Sequence, residues 1–162
     1  MRRQDVVTGH PAALLLRFLA LRGDDDPGVL AEAFAGLLGF GADDTVPFVA
    51  QRLASDKRDI ARAAAMALGD CRRPEAVVAL RERLPGEDRP DVRHAIILGL
   101  VASRDDRGFD ALLDLVARGS APDSKAAVEA LRLYAHDDAL QRRVNAALDA
   151  RRPARRRRQR AN

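Results

Sequence analysis

The sequence predicts an all-α fold: a right-handed α-solenoid of about four helix pairs behind an N-terminal capping helix. Three observations carry this expectation. Related segments recur every 31 or 32 residues. Each period contains two stretches whose apolar residues follow helical spacing. The composition is 47% apolar but only 4% aromatic, with Ala, Leu and Val dominant, which suits closely packed helices better than a large sheet.

The period is clearest with Val29, Ile60, Val92 and Asp123 as the zero of each unit. Four residues on stand Ala33, Ala64, Ile96 and Ala127, then Gly36, Ala67, Gly99 and Ala130 at seven, and Leu37, Leu68, Leu100 and Leu131 at eight. Positions zero, four, seven and eight form one face of a helix. The small residue at seven lets a neighbouring backbone come close, and the leucine beside it fills the core.

A second helix follows in every unit, with Val46, Val49 and Leu53, then Val77, Leu80 and Leu84, then Phe109, Leu112 and Val116, and finally Leu140, Val144 and Leu148. Between the paired helices lie Gly, Asp and Pro, residues that end one helix and begin the next. Carrying the second-helix pattern one period back reaches Leu15 and Phe18, so segment 11–22 is expected to cap the array with these two side chains in the core. The expected organisation is an array over 1–150, with units at about 26–56, 57–88, 89–120 and 121–150, and a disordered Arg-rich tail over 151–162.

Residues Ile60 to Gly69, with Asp56 upstream and Pro74-Glu75-Ala76-Val77 downstream, resemble the short bacterial HEAT-like repeat of the phycobilisome-lyase type. Asp91-Val92-Arg93-His94-Ala95 and Ala126 to Leu131 resemble the same element. The resemblance implies stacked helix pairs that bind other macromolecules, with the second helices on the concave face. It implies no particular chemistry, because a fold does not carry a function.

Catalytic and metal constellations are missing from the sequence. The three histidines, His10, His94 and His136, fall on different elements, and no His-x-x-x-His or His-Glu pair exists to hold zinc or iron. Gly36, Gly39 and Gly41 end a helix and lack the Lys and Ser or Thr of a phosphate loop. Tyr134 shares a repeat position with Phe40 and Cys71 and is expected in the core, not in a base-binding cleft. A HEAT-fold lyase or DNA glycosylase is therefore disfavoured. The expectation is a protein that is not an enzyme and has no cofactor and no metal.

The single cysteine, Cys71, excludes an intrachain disulfide and suits a reducing, cytoplasmic setting. Arg17 interrupts the apolar run from Ala12 to Leu21, so neither a signal peptide nor a membrane association is expected. The net charge of +4 conceals an asymmetry. Arg151, Arg152, Arg155, Arg156, Arg157, Arg158 and Arg160 lie together, and without them 21 basic side chains face 24 acidic ones.

The leading expectation is a noncatalytic protein-binding scaffold or adaptor that acts through its concave face. Its candidate contacts on the second helices are Phe48, Gln51, Arg52, Glu82, Arg83 and Asp114, with Phe48 either an aromatic anchor for the partner or packed under the N-terminal cap. A second expectation is nonspecific nucleic-acid association through the seven tail arginines. The basic column Arg62, His94 and Lys125 forms either a ladder of ion pairs between repeats or a basic stripe for a ligand, and the ladder is the expected reading.

Overall fold

The computed structural model describes residues 11–22, 27–41 and 43–160, with the backbone alone from 152 onward. Among these residues there are nine α-helices, two 3-10 turns and no strand. The chain divides into two compact units, one ending at Asp105 and one beginning at Asp106.

The first unit holds α1 (Pro11–Arg22), α2 (Pro27–Gly39), α3 (Thr45–Arg52), α4 (Arg58–Asp70), α5 (Pro74–Arg83), a 3-10 turn (Leu84–Gly86) and α6 (Pro90–Ala102). The second unit holds α7 (Asp106–Arg118), α8 (Ala121–Leu131), a 3-10 turn (Arg132–Tyr134) and α9 (Asp138–Arg160). The first helices α2, α4, α6 and α8 all begin two residues before the zero of the repeat. Two of these starts show ordinary capping chemistry, with Pro at the first position of α6 and the Ser120 hydroxyl accepting the Asp123 amide at 3.2 Å in α8. That capping places Asp123, an acid at an otherwise apolar position, in the first turn, where negative charge is favourable.

Burial follows the repeat. Leu37, Leu68, Leu100 and Leu131 are all buried, as are Ala33, Ala64, Ile96 and Ala127. In the first unit α2 packs on α4 and α4 on α6, while α3 and α5 pair with one another and with their first helices. The α4/α6 crossing is close enough to bring backbones into contact. A Cβ on Gly69 would lie 2.5 Å from the Gly99 Cα, and one on Gly99 would lie 2.5 Å from the Ala65 carbonyl oxygen. In the second unit α8 and α9 each pack on α7.

The turns after α2, α4 and α6 repeat as well. Gly41, Arg72 and Arg104 share one repeat position, and all three have left-handed backbones, with φ of 68°, 52° and 54°. Just before them the Cys71 thiol donates to the Leu68 carbonyl at 3.1 Å, and the Ser103 hydroxyl donates to the Leu100 carbonyl at 2.7 Å, each closing a helix end. Burial pushes the Cys71 thiol above its ordinary pKa, so it is a helix-end donor and not a reactive thiolate. In the last repeat the corresponding residue is Ala135, with φ −61°, and a 3-10 turn replaces the left-handed stop.

Three expectations are corrected. Leu15 and Phe18 are 59% and 57% exposed, and α1 buries Ala13 and Ala20 instead. The helix is rotated so that its alanines meet the body, and Leu16 lies over Gly36, its Cδ1 2.8 Å from where a Cβ would stand. At the start of α2, Leu30 is fully buried while Val29 is 38% exposed. Finally, α9 runs to Arg160, so the backbone of 151–160 is helical where a disordered tail is expected; Arg, Ala and Gln are good helix formers.

Candidate functional site

The second helices of the first unit carry five of the expected partner contacts. Phe48 on α3 is half-buried, and its ring carries two guanidinium groups of its own chain, Arg17 from α1 and Arg52 from α3, each 5.2 Å from the centroid. Arg17 is also paired with Asp44. Such stacking contributes about 0.5–1 kcal/mol at exposed sites. Phe48 is therefore engaged within the first unit by the capping helix, the second of the two roles the sequence leaves open to it. The Arg52 Nε is buried without a hydrogen-bond partner among the described residues, while Gln51 and Glu82 are exposed.

Arg83 has a structural role. Its Nη2 donates to the Glu87 carboxylate at 2.6 Å, its Nη1 to the Gly86 carbonyl at 3.0 Å and its Nε to the Leu53 carbonyl at 3.4 Å. Arg89 grips the same carboxylate with Nε and Nη2, both at 2.8 Å, and with its backbone amide at 2.9 Å, and reaches the Ser55 carbonyl at 2.6 Å. The side chain of Glu87 is only 1% exposed. The side-chain hydrogen bonds from Arg89 outweigh the opposing effect of burial; with the Arg89 amide and the charges of Arg83 and Arg89, they hold the Glu87 carboxyl at about 2, below its ordinary 4.5. This buried cluster fastens the turn before α6 to the loop after α3. Sequence reasoning missed it, although the signal was present as opposite charges at Arg83-x-x-x-Glu87-x-Arg89 between two helices.

Asp114, the sixth expected contact, lies on α7 of the second unit and is paired with Arg118 one turn on. Of the tail arginines, Arg151 is drawn into the body: its Nη1 donates to the carbonyls of Gly119 at 2.8 Å and Val116 at 3.2 Å. Arg152, Arg155, Arg156, Arg157, Arg158 and Arg160 follow on the helical backbone of α9.

A further surface of the first unit lies on the first helices. A groove of about 490 Å³ runs across α2, α4 and α6. Its floor is Ala63 and Met66 of α4 with Ala95 and Leu98 of α6, and its rim carries Asp59, Arg62, Asp91 and His94. These residues fall one before zero and two, three and six after it, a stripe turned away from the core stripe at zero, four, seven and eight. The signal was legible. Positions three and six are apolar in the two central repeats, whereas Glu32 and Glu129 interrupt them in the outer ones.

The basic column behaves differently from expectation. Arg62 pairs with Asp59 of its own helix at 3.6 Å, and the neighbouring first helices α4 and α6 are joined instead by Arg58 and Asp91 at 3.3 Å. His94 is exposed on the groove rim, and Lys125 belongs to the second unit. Among the described residues no helix is long and apolar enough to cross a membrane.

A family model of HEAT repeats matches residues 12–100 and, in an overlapping placement, residues 46–132, which together span most of the chain. No curated protein matches, and no solved structure does.

Proposed function

We propose that this chain, which belongs to the HEAT-repeat family, is a noncatalytic protein-binding scaffold that receives a segment of its partner in the groove across α2, α4 and α6. HEAT repeats generally serve as protein-interaction scaffolds. The groove is the observation that carries the finer reading, because it joins an apolar floor to charged groups of both signs on helices whose backbones touch. Such a surface is held in place before binding, which reduces the ordering cost of association.

The occupant that fits is an amphipathic helix of another protein. Its apolar side chains would rest on Met66 and Leu98, with an acidic residue toward His94 and Arg62. A lone, half-buried thiol suits the cytoplasm, where this reading places the scaffold.

The test is a photo-crosslinking residue placed in turn at Met66, Leu98, Gln51 and Glu82 of the full chain in its native cell. Met66 should give a discrete adduct that Leu98→Glu abolishes, and Leu98 one that Met66→Glu abolishes, while the melts stay near that of the wild type. Adducts confined to Gln51 and Glu82 would return the site to the second helices.

A further inference from the structure

The second unit contains a pocket whose charge is opposite to that expected for an acidic body. Because α8 and α9 each pack on α7, a cleft of about 310 Å³ is left beside them. Val128 and Leu148 give it an apolar lining, and Lys125, Arg132 and Arg151 stand around it with one acid, Glu129. Lys125 and Glu129 lie one turn apart on α8, and Arg132 opens the 3-10 turn that continues it, so the three side chains line the same cleft. Arg151 faces them from α9. Both of its bonds to backbone carbonyls use Nη1, so the guanidinium is fixed in place, and a guanidinium carries five N–H donors.

We propose that this pocket binds single-stranded nucleic acid, taking an unstacked base against Val128 and Leu148 and the flanking phosphates on Lys125, Arg132 and Arg151. A nucleotide strand supplies an anion beside each apolar ring, which is the pairing the pocket presents. An acidic amphipathic peptide could match the pocket alone, but the run of arginines that follows it calls for an anion at each step, which a nucleotide strand supplies. The ligand is a polymer, since the cationic character does not stop at the pocket: no acid follows Asp149, and the sequence continues with six more arginines up to Arg160. Among the described residues no aromatic ring lines the pocket, so phosphate contacts dominate the affinity, and these are indifferent to base sequence.

The experiment measures fluorescence anisotropy of a labelled mixed-sequence 20-nucleotide RNA with the full chain, across a salt series. Lys125→Glu with Arg132→Glu is the test variant; both side chains are exposed, so the fold should survive, as a thermal melt verifies. Each phosphate contact contributes about −0.7 to the log-log salt slope on single strands, so the variant should bind on the order of tenfold more weakly at low salt, with a slope shallower by about 1.4. The single strand should bind more tightly than its duplex, and polyglutamate of equal charge should compete poorly.

Wild-type affinity in the folded double variant would overturn the assignment, whether or not removal of 152–162 abolished binding. Equal affinity for the duplex would remove the base from the pocket. Displacement by polyglutamate would make the ligand an acidic protein instead.

Discussion

Gly99 and Gly36 occupy the same repeat position on helices of the same unit, yet they do different work. At Gly99 an added Cβ meets the Ala65 carbonyl oxygen at 2.5 Å and Leu80 Cδ1 at 3.3 Å; at Gly36 it meets only the tip of Leu16 at 2.8 Å. The centre of the first unit is thus assembled backbone against backbone, and its N-terminal end by side chains that can move aside. The same contrast appears in burial, since the stripe of α4 is closed while α1 leaves Leu14, Leu15 and Phe18 in solvent. A small residue in a repeat therefore does not report one function; its meaning depends on whether backbone or a flexible side chain lies opposite.

The comparison can be broken most directly at the two glycines. Gly99→Leu should destabilise the protein by about 3 kcal/mol or more, because backbone cannot yield as a side chain does. Gly99→Ala should already cost about 1–3 kcal/mol. Gly36→Ala should be neutral or stabilise by up to about 1 kcal/mol, since helix propensity then favours alanine. Urea unfolding of the three variants measures the difference, and equal losses at the two positions would erase it.

Next in size is the buried carboxylate that ties the α3 loop to the turn before α6. Glu87→Gln should remove about 3 kcal/mol, the amount linked to a carboxyl lowered from 4.5 to about 2. A depressed folded pKa gives stability that is complete above the unfolded value and fades as the proton binds the folded form. The gap between wild type and variant should therefore be full above about pH 4.5 and shrink toward zero as the pH falls to about 2. Denaturation at several pH values checks both parts.

The smallest effect lies at the turns. Arg72 holds a left-handed backbone that Gly41 adopts at the same repeat position. Arg72→Gly should stabilise by up to about 1 kcal/mol, whereas glycine at Ala135, where the backbone is right-handed, should not. A thermal melt of each resolves the sign.

Much of this fold could be read from the chain. Period, helix starts and the core positions Leu37, Leu68, Leu100 and Leu131 follow from spacing alone, because burial repeats with the helix turn. Leu15 and Phe18 were misplaced because periodicity assumes that a neighbour covers each face, and α1 stands at the edge of its unit. The site was less legible. Arg83 and Gln51 sit on the same kind of helix face, and it is the packing of the following turn that draws Arg83 inward to Glu87 while Gln51 remains in solvent. Met66 and Leu98 could have been noticed as apolar residues off the core stripe, but the groove they floor depends on how closely α4 and α6 approach.

That approach supports both the fold and the proposed binding surface, and amide hydrogen exchange on the intact protein tests it most directly. Backbone contact at Gly69 and Gly99 predicts that the amides of α4 and α6, from Ala63 to Leu68 and from Ala95 to Leu100, exchange only through opening of the whole first unit. Those of α1 should exchange faster, through local opening. Protection of α1 equal to that of α4 and α6, or fast exchange beneath the groove floor, would contradict a rigid centre that carries a preformed site.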